Sequence, residues 1–147
     1  MVNNNYLNII RASERDDYNT FCDLVDKVND NNLIFMVLLE VGMEEIVSAR
    51  CCQYIVDRVH LNEEQLEFCL VAKLGCLGEL YTDKNLNYDD YVGKLKMNNE
   101  QKYNELMENI TTNAFNFNGT LDDINTISSW LNTLKMLKTK TDYGNRE

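Results

Sequence analysis

The single histidine limits the catalytic chemistry that this sequence can support. Any Ser–His or Cys–His nucleophile scheme must use His60, because the 147 residues contain no other imidazole. The chain has no Gly-x-Ser-x-Gly turn, no phosphate-binding glycine loop and no His-Glu-x-x-His helix. His60 lies two residues before a predicted helix start at Asn62, where a polar loop residue is common. We therefore predict a non-enzymatic protein without catalytic residues, and keep an enzyme with an unrecognised site as an alternative.

Four of the five cysteines lie near the histidine and offer the ligand types of a zinc site. They are Cys51, Cys52, Cys69 and Cys76. Structural zinc sites bring their ligands together through short Cys-x-x-Cys or His-x-x-x-His pairs, and neither spacing occurs here. The odd number of cysteines and the adjacent Cys51-Cys52 pair are also unlike a disulfide framework. We predict free, buried thiols, with no metal and no cofactor.

Adjacent carboxylates occur five times, but their spacing does not indicate acid–base chemistry. The pairs are Asp16-Asp17, Glu44-Glu45, Glu63-Glu64, Asp89-Asp90 and Asp122-Asp123. General acid–base catalysis needs carboxylates that converge on one point, whereas neighbours in sequence point to different sides of a helix. Most of these pairs fall at predicted helix starts, where negative charge is favourable. We interpret them as helix-start residues.

Charge and hydrophobicity restrict the partners of the protein. Acidic residues outnumber lysine and arginine by 24 to 14, for a formal net charge of −10, and such a surface repels nucleic acid and anionic lipid. The longest apolar run, residues 33–39, is far shorter than the roughly 20 residues of a membrane-spanning helix. The first five residues lack the features of a secretory signal. We expect a cytoplasmic protein that binds another protein, with no direct nucleic acid and no membrane.

Apolar residues recur at helical spacing along nearly the whole chain, and this spacing predicts a single all-α domain of six or seven short helices over residues 1–147. The terminal residues 1–5 and 140–147 are predicted to be frayed. The predicted helical segments are 14–28, 33–41, 43–59, 66–81, 88–96, 99–114 and the segment that follows Thr120.

Several residues predict where these helices begin and end. Asn62 with Gln65, and Thr120 with Asp123, have the spacing of a capping box, as do Ser13 and Asp16. Gly42 follows the apolar segment 33–41 in the position of a C-terminal glycine cap. Segment 66–81 is apolar along one side and is predicted to be the central helix. Loops are predicted at 82–87 and 116–119.

A helical repeat is the alternative to a bundle. Gly42 and Gly75 are 33 residues apart, which is the ankyrin period, and apolar residues lie at matching positions before and after each glycine. The segments around the two glycines resemble the turn between the helices of a degenerate ankyrin-like repeat. The Thr-Pro-Leu-His signature of that family is absent from the chain.

The size of the domain and its roughly seven short helices, with the apolar segment 66–81 at the centre, resemble the Bcl-2-like helical bundles of large DNA viruses. The resemblance is one of architecture only, and it transfers no functional residue. It implies an interaction protein, and with it a viral protein that modulates its host.

We therefore predict an interaction domain that acts as an inhibitor or adaptor. Large residues at the edges of the apolar stripes are the candidate partner-binding anchors: Trp130, Tyr88 and Tyr91. The alternative is an acidic decoy that fills a basic, nucleic-acid-binding groove of its partner. In that case the acidic pairs at 63–64 and 89–90 would make the contact. The oligomeric state is left open.

Overall fold

The computed structural model describes residues 3–43, 49–113 and 117–144. These residues form nine α-helices and one short 3-10 turn, and none of them is in a strand. The predicted all-α class is confirmed, with nine helices in the described residues where the spacing predicted six or seven. The elements are α1 (Asn4–Glu14), α2 (Tyr18–Asp26), α3 (Asn31–Met43), α4 (Ala49–Arg58), α5 (Glu63–Val71), the 3-10 turn (Gly75–Leu77), α6 (Gly78–Asp83), α7 (Tyr88–Asn98), α8 (Glu100–Asn113) and α9 (Leu121–Gly144).

Helical structure extends close to both ends of the described chain. Asn4 and Asn5 form the first turn of α1, because the side chain of Asn3 accepts a hydrogen bond from the backbone N–H of Tyr6 and caps the helix. Helix α9 continues to Gly144, so residues 140–144 extend it. Both predicted terminal segments thus contain helical residues, and their fraying stays a prediction; residues 1–2 and 145–147 lie outside the described part.

Helix α1 ends where the sequence analysis placed a helix start. Asp16 adopts a left-handed φ of 54°, and its N–H and that of Asp17 donate to the carbonyls of Ser13 and Ala12. This is a Schellman ending, in which a left-handed residue satisfies the last carbonyls of a helix. The predicted capping box at Ser13 and Asp16 is therefore wrong, and segment 14–28 is split between the end of α1 and α2.

The predicted central helix 66–81 is broken in the same way. Lys73 has a φ of 63°, and the N–H groups of Lys73 and Leu74 donate to the carbonyls of Leu70 and Cys69. The chain then passes through the 3-10 turn into α6. Segment 66–81 is thus two helices and a turn.

The most deeply buried helix is α3, which packs against α1, α4 and α9. All nine residues from Leu33 to Val41 are buried, as their apolar character on every side predicted. The one charged member, Glu40, is 6% exposed and accepts a hydrogen bond of 3.0 Å from the hydroxyl of Tyr6 in α1. The central helix is therefore α3.

The two glycines of the predicted repeat lie in different structural settings. Gly42 is inside α3, which continues to Met43, and a Cβ at this position would meet the side chain of Leu74 at 3.1 Å. Gly75 instead begins the 3-10 turn. The predicted cap at Gly42 and the ankyrin-like repeat are therefore wrong, and a helical bundle fits.

The second half of the chain positions the candidate site. Helix α9 packs against α5, α7 and α8, and α7 packs against both α5 and α8. The capping box at Asn62 and Gln65 is confirmed by both of its hydrogen bonds. At the start of α9, Asp123 accepts from the N–H of Thr120 while the Thr120 hydroxyl oxygen accepts from the N–H of Asp123, so this capping box is confirmed too.

Candidate functional site

An open groove of about 390 Å³ lies between α8 and α9. Its lining residues recur every three or four positions on each helix, so each helix contributes one face. They are Lys102, Glu105, Leu106 and Asn109 of α8, and Asn125, Thr126, Ser129, Trp130 and Thr133 of α9. Both helices are long, with 14 and 24 residues, and their packing against each other gives the groove rigid walls.

The apolar lining of the groove is formed by two core residues. Leu106 is 2% and Trp130 is 5% exposed. The indole of Trp130 stacks on Phe68, with ring centroids 6.1 Å apart and planes inclined by 10°, and it also contacts Phe117 at 5.9 Å. These ring contacts hold Trp130 in place. The predicted partner-binding residue Trp130 therefore lines the groove as a fixed part of the core and does not project from the surface.

The rim of the groove is polar and has no net charge. Lys102 and Glu105 are the two ionisable residues among the lining residues, and their charges are opposite. Within the described residues, no hydrogen bond uses the side chains of Asn109, Asn125 or Ser129. These amide and hydroxyl groups can both donate and accept hydrogen bonds. A neutral segment with peptide-like polar groups therefore matches this rim.

The hydroxyls of the two threonines in the lining already donate hydrogen bonds within α9. The Thr126 hydroxyl donates to the carbonyl oxygen of Asp122 at 3.0 Å, and the Thr133 hydroxyl donates to that of Ser129 at 3.0 Å. Both bonds stay within α9, as is common for threonine in a helix. The groove can therefore offer the methyl groups of these side chains to a ligand, besides the free amides of the rim.

The other two predicted anchors lie outside the groove, on α7. Tyr88 is partly buried, and the Nζ atom of Lys73 lies 4.9 Å from its ring centroid, a cation–π contact. Tyr91 is also partly buried, and burial together with the nearby carboxylate of Glu67 raises the pKa of its hydroxyl. Glu67 itself is buried, and its Oε1 forms an ion pair with the Nζ of Lys138 in α9 at 2.7 Å. Both tyrosines thus contribute to the contact of α7 with its neighbours, and their role in partner binding stays a prediction.

The acidic pairs of the decoy hypothesis lie on neighbouring helices. Glu63 and Glu64 open α5, and Asp89 and Asp90 open α7. These two helices pack against each other, and the negative charges of Glu63 and Glu64 help to raise the pKa of the Tyr91 hydroxyl.

The thiols near His60 do not form a metal site in the described residues, where no three His, Cys, Asp or Glu side chains are placed to hold an ion. Cys51, Cys52 and Cys69 are buried, and Cys76 is half-buried. His60 is exposed in the connection between α4 and α5. The packing of α4, which carries Cys52, against the 3-10 turn, which carries Cys76, was not visible in the sequence.

Comparison with known proteins gives no relative of this chain, since no family model, curated protein or solved structure matches it. The resemblance to viral Bcl-2-like bundles therefore stays a prediction. None of the helices in the described part combines the length and the apolar character needed to cross a membrane.

Proposed function

We propose that this chain is a non-enzymatic interaction domain that binds a short segment of another protein in the groove between α8 and α9, and acts there as an inhibitor or adaptor. The observation that carries the proposal is the combination of an apolar floor, Leu106 and Trp130, with a rim of unused amide and hydroxyl groups. Binding sites commonly combine an apolar surface with a few polar groups that orient the ligand. The neutrality of the rim favours a peptide segment over a charged ligand.

The length of the groove indicates how much of a partner it holds. The lining covers seven residue steps of α8 and eight of α9, which is about 10–12 Å at 1.5 Å per residue. An extended chain advances by about 3.3 Å per residue, so three or four residues of a partner would fill it. Such a contact is small, and a partner with measurable affinity would add contacts beyond the groove.

A pair of neighbouring serines on α9 provides the test. Ser129 lines the groove, whereas Ser128, which is also exposed, does not. The probe is a peptide selected from a random display library against the purified full chain. We expect Ser129→Arg to weaken its binding at least about tenfold, equal to about 1.4 kcal/mol, and Ser128→Arg to leave it unchanged.

The only tryptophan of the chain gives a direct readout of this experiment. Because Trp130 lines the groove, an occupant should shift its fluorescence emission, and the peptide titration can be followed this way. Equal binding by the two arginine variants, or binding without a change in Trp130 emission, would reject the groove as the binding site. Circular dichroism of each variant confirms that its fold is intact.

The acidic decoy is the second candidate, favoured by the packing of α5 against α7, whose starts carry the acidic pairs. Its affinity would depend on charges that salt screens beyond about 8 Å at 0.15 M. The test uses a protein captured from a native lysate, with its affinity measured between about 0.05 and 0.5 M salt. The groove model predicts a nearly constant affinity.

Charge reversal separates the two candidates further. Under the decoy model, the double variant Glu63→Lys with Glu64→Lys slows association, while the double variant Glu79→Lys with Asp83→Lys on α6 serves as an exposed control of the same charge change. A loss of orders of magnitude in affinity with salt, together with this slower association, would support the decoy and reject the groove. The viral, host-modulating role and the cytoplasmic location stay predictions under either candidate.

A further inference from the structure

A second surface lies beyond the Thr133 end of the groove. The groove face of α9 recurs every three or four residues, and its next position after Thr133 is Met136. The last turn of α7 joins α9 at this level, because the side-chain amide of Asn98 donates to the carbonyl of Leu137 at 2.8 Å. Met97 and Met136 directly precede the two partners of this hydrogen bond, so both lie at the same junction of α7 and α9.

Both methionines at this junction are open to solvent. Met97 is 89% and Met136 is 56% exposed. In the part of the chain that the structure describes, the third exposed large apolar side chain is Leu121, at the opposite end of α9. Single exposed apolar residues are common, but a pair at one place indicates a contact surface. Methionine is flexible and polarisable, and it is frequent on surfaces that bind peptides.

Lysines flank both methionines. Residues 94–102 and 133–138 hold five of the 14 lysine and arginine residues of the chain, but only one of its 24 acidic residues, Glu100. The five are Lys94, Lys96, Lys102, Lys135 and Lys138. Lys138 is paired with the buried Glu67. The others still leave a local excess of positive charge in a chain whose net charge is −10.

We propose that this methionine–lysine surface, formed by Met97, Met136 and the five lysines, binds an acidic segment with large apolar side chains, in the same partner whose neighbouring residues occupy the groove. The inference rests on the proposed function and specifies the contacts that a partner makes beyond the groove. The two methionines bury the apolar side chains and supply most of the affinity. The lysines select the sign of the partner's charge, because exposed ion pairs contribute little each.

The net charge of the chain favours a short acidic segment over an anionic membrane. A bilayer presents negative charge over a wide area and repels the acidic residues on the rest of the surface, whereas a segment contacts this end of the molecule alone. A second copy of the chain is the other alternative. Its Leu121 and Asp122 place an exposed apolar and an exposed acidic side chain next to each other.

The two exposed apolar residues of α9 provide a matched test. The probe is a peptide selected from a random display library against the purified full chain, and we expect the selected sequences to be rich in aspartate, glutamate and large apolar residues. Met136→Glu should weaken binding of the peptide at least about tenfold, because it places an unpaired negative charge in the contact. Leu121→Glu, the same kind of change at the other end of α9, should leave binding unchanged.

Charge reversal tests the role of the lysines. Lys94→Glu with Lys96→Glu should weaken binding of the acidic peptide. Lys27→Glu with Lys84→Glu changes the net charge by the same amount at exposed lysines after α2 and α6, and should have a much smaller effect. Equal effects of the two double variants, or selected peptides without acidic residues, would overturn the proposal. Circular dichroism of each variant confirms that its fold is intact.

Ser129→Arg separates this inference from the groove itself. Weaker binding in both Ser129→Arg and Met136→Glu supports a partner that spans the groove and the methionine–lysine surface. Weaker binding in Ser129→Arg alone retains the groove and overturns this inference, whereas weaker binding in Met136→Glu alone retains the surface and rejects the groove.

Two further measurements address the other occupants. Light scattering of the unmodified chain over a range of concentrations detects self-association, and sedimentation with phosphatidylserine vesicles detects membrane binding. Self-association that both Met136→Glu and Leu121→Glu abolish would assign the surface to a second copy and overturn the proposal. Binding to the vesicles that Met136→Glu abolishes would overturn it in favour of a membrane.

Discussion

Gly119 is the residue that lets the chain before α9 lie directly against α1. Its φ is +73°, and a Cβ at this position would come within 2.4 Å of the Cβ of Tyr6. Next to it, the N–H of Asn3 donates to the carbonyl of Asn118 at 2.8 Å. The fully buried Tyr6 in turn donates to Glu40 of α3. One glycine thus allows the start of α9, the first helix and the central helix to meet.

We predict that Gly119→Ala lowers the free energy of unfolding by about 2 kcal/mol or more. A left-handed conformation costs a non-glycine residue about 1–2 kcal/mol, and the clash with Tyr6 adds to this cost. The matched control is Gly93→Ala in α7, where nothing lies within 4 Å of the added methyl group. This control should gain about 0.5–1 kcal/mol, because alanine favours a helix over glycine. Urea unfolding followed by circular dichroism measures both, and equal effects of the two substitutions would contradict the argument.

At the scale of the elements, three helix ends share one geometry without a glycine. The left-handed residues are Asp16 after α1, Lys73 after α5 and Asn85 after α6, with φ between 54° and 63°. At each end, the N–H groups of the left-handed residue and of the residue after it donate the two backbone hydrogen bonds of a Schellman ending. Glycine is the usual residue at this position, so the sequence carried no glycine stop signal at the ends of α1 and α5, whereas the end of α6 falls in the predicted loop 82–87. This explains why α1 was missed and why one helix was predicted where α5 and α6 lie.

We predict that Asn85→Gly is more stable than Asn85→Ala by about 1 kcal/mol, because only glycine adopts the left-handed conformation without a steric cost. At the preceding residue, Lys84, φ is −93°, and there the order should reverse, with Lys84→Ala more stable than Lys84→Gly. Thermal unfolding of the four variants compares the two positions. The same order at both positions would mean that the left-handed ending does not contribute as described.

At the scale of the whole molecule, several tyrosine hydroxyls resist ionisation. Burial and the neighbouring Tyr88 raise the pKa of Tyr103 to about 12, and burial raises the pKa values of Tyr6, Tyr81 and Tyr91 as well. The pKa of tyrosine in an unfolded chain is about 10. Since the folded pKa lies above the unfolded one, the fold favours the neutral form. This contribution to stability is fully present below about pH 10 and is lost as the pH rises through 12.

We predict that the protein unfolds cooperatively in this alkaline range. Absorbance near 295 nm reports tyrosine ionisation and circular dichroism reports helix content, so both should change together between about pH 10 and 12. Tyr103→Phe, which cannot ionise at this position, should shift the midpoint to higher pH. Full tyrosine ionisation with the helices intact would contradict the expected linkage.

The candidate site was predictable only in part. Trp130 was singled out because it lies beside the apolar stripe of the last helix, and it does line the groove. Tyr88 and Tyr91 were singled out on the same grounds and lie on α7, outside it. The polar α8 residues that form one wall, such as Asn109, resemble an ordinary solvent-facing side of a helix in the sequence. Their role depends on which face α8 turns towards α9.

The sequence by itself determined the all-α class, because apolar residues at helical spacing and the capping boxes at Asn62 and Thr120 are local signals within one or two turns. Only the tertiary structure decided that α3 is the central helix, that α8 and α9 enclose a groove, and that α4 packs on the 3-10 turn after α5. Several segments have a similar apolar content. Which of them becomes the buried central helix depends on contacts between residues far apart in the chain. Local spacing does not contain those contacts.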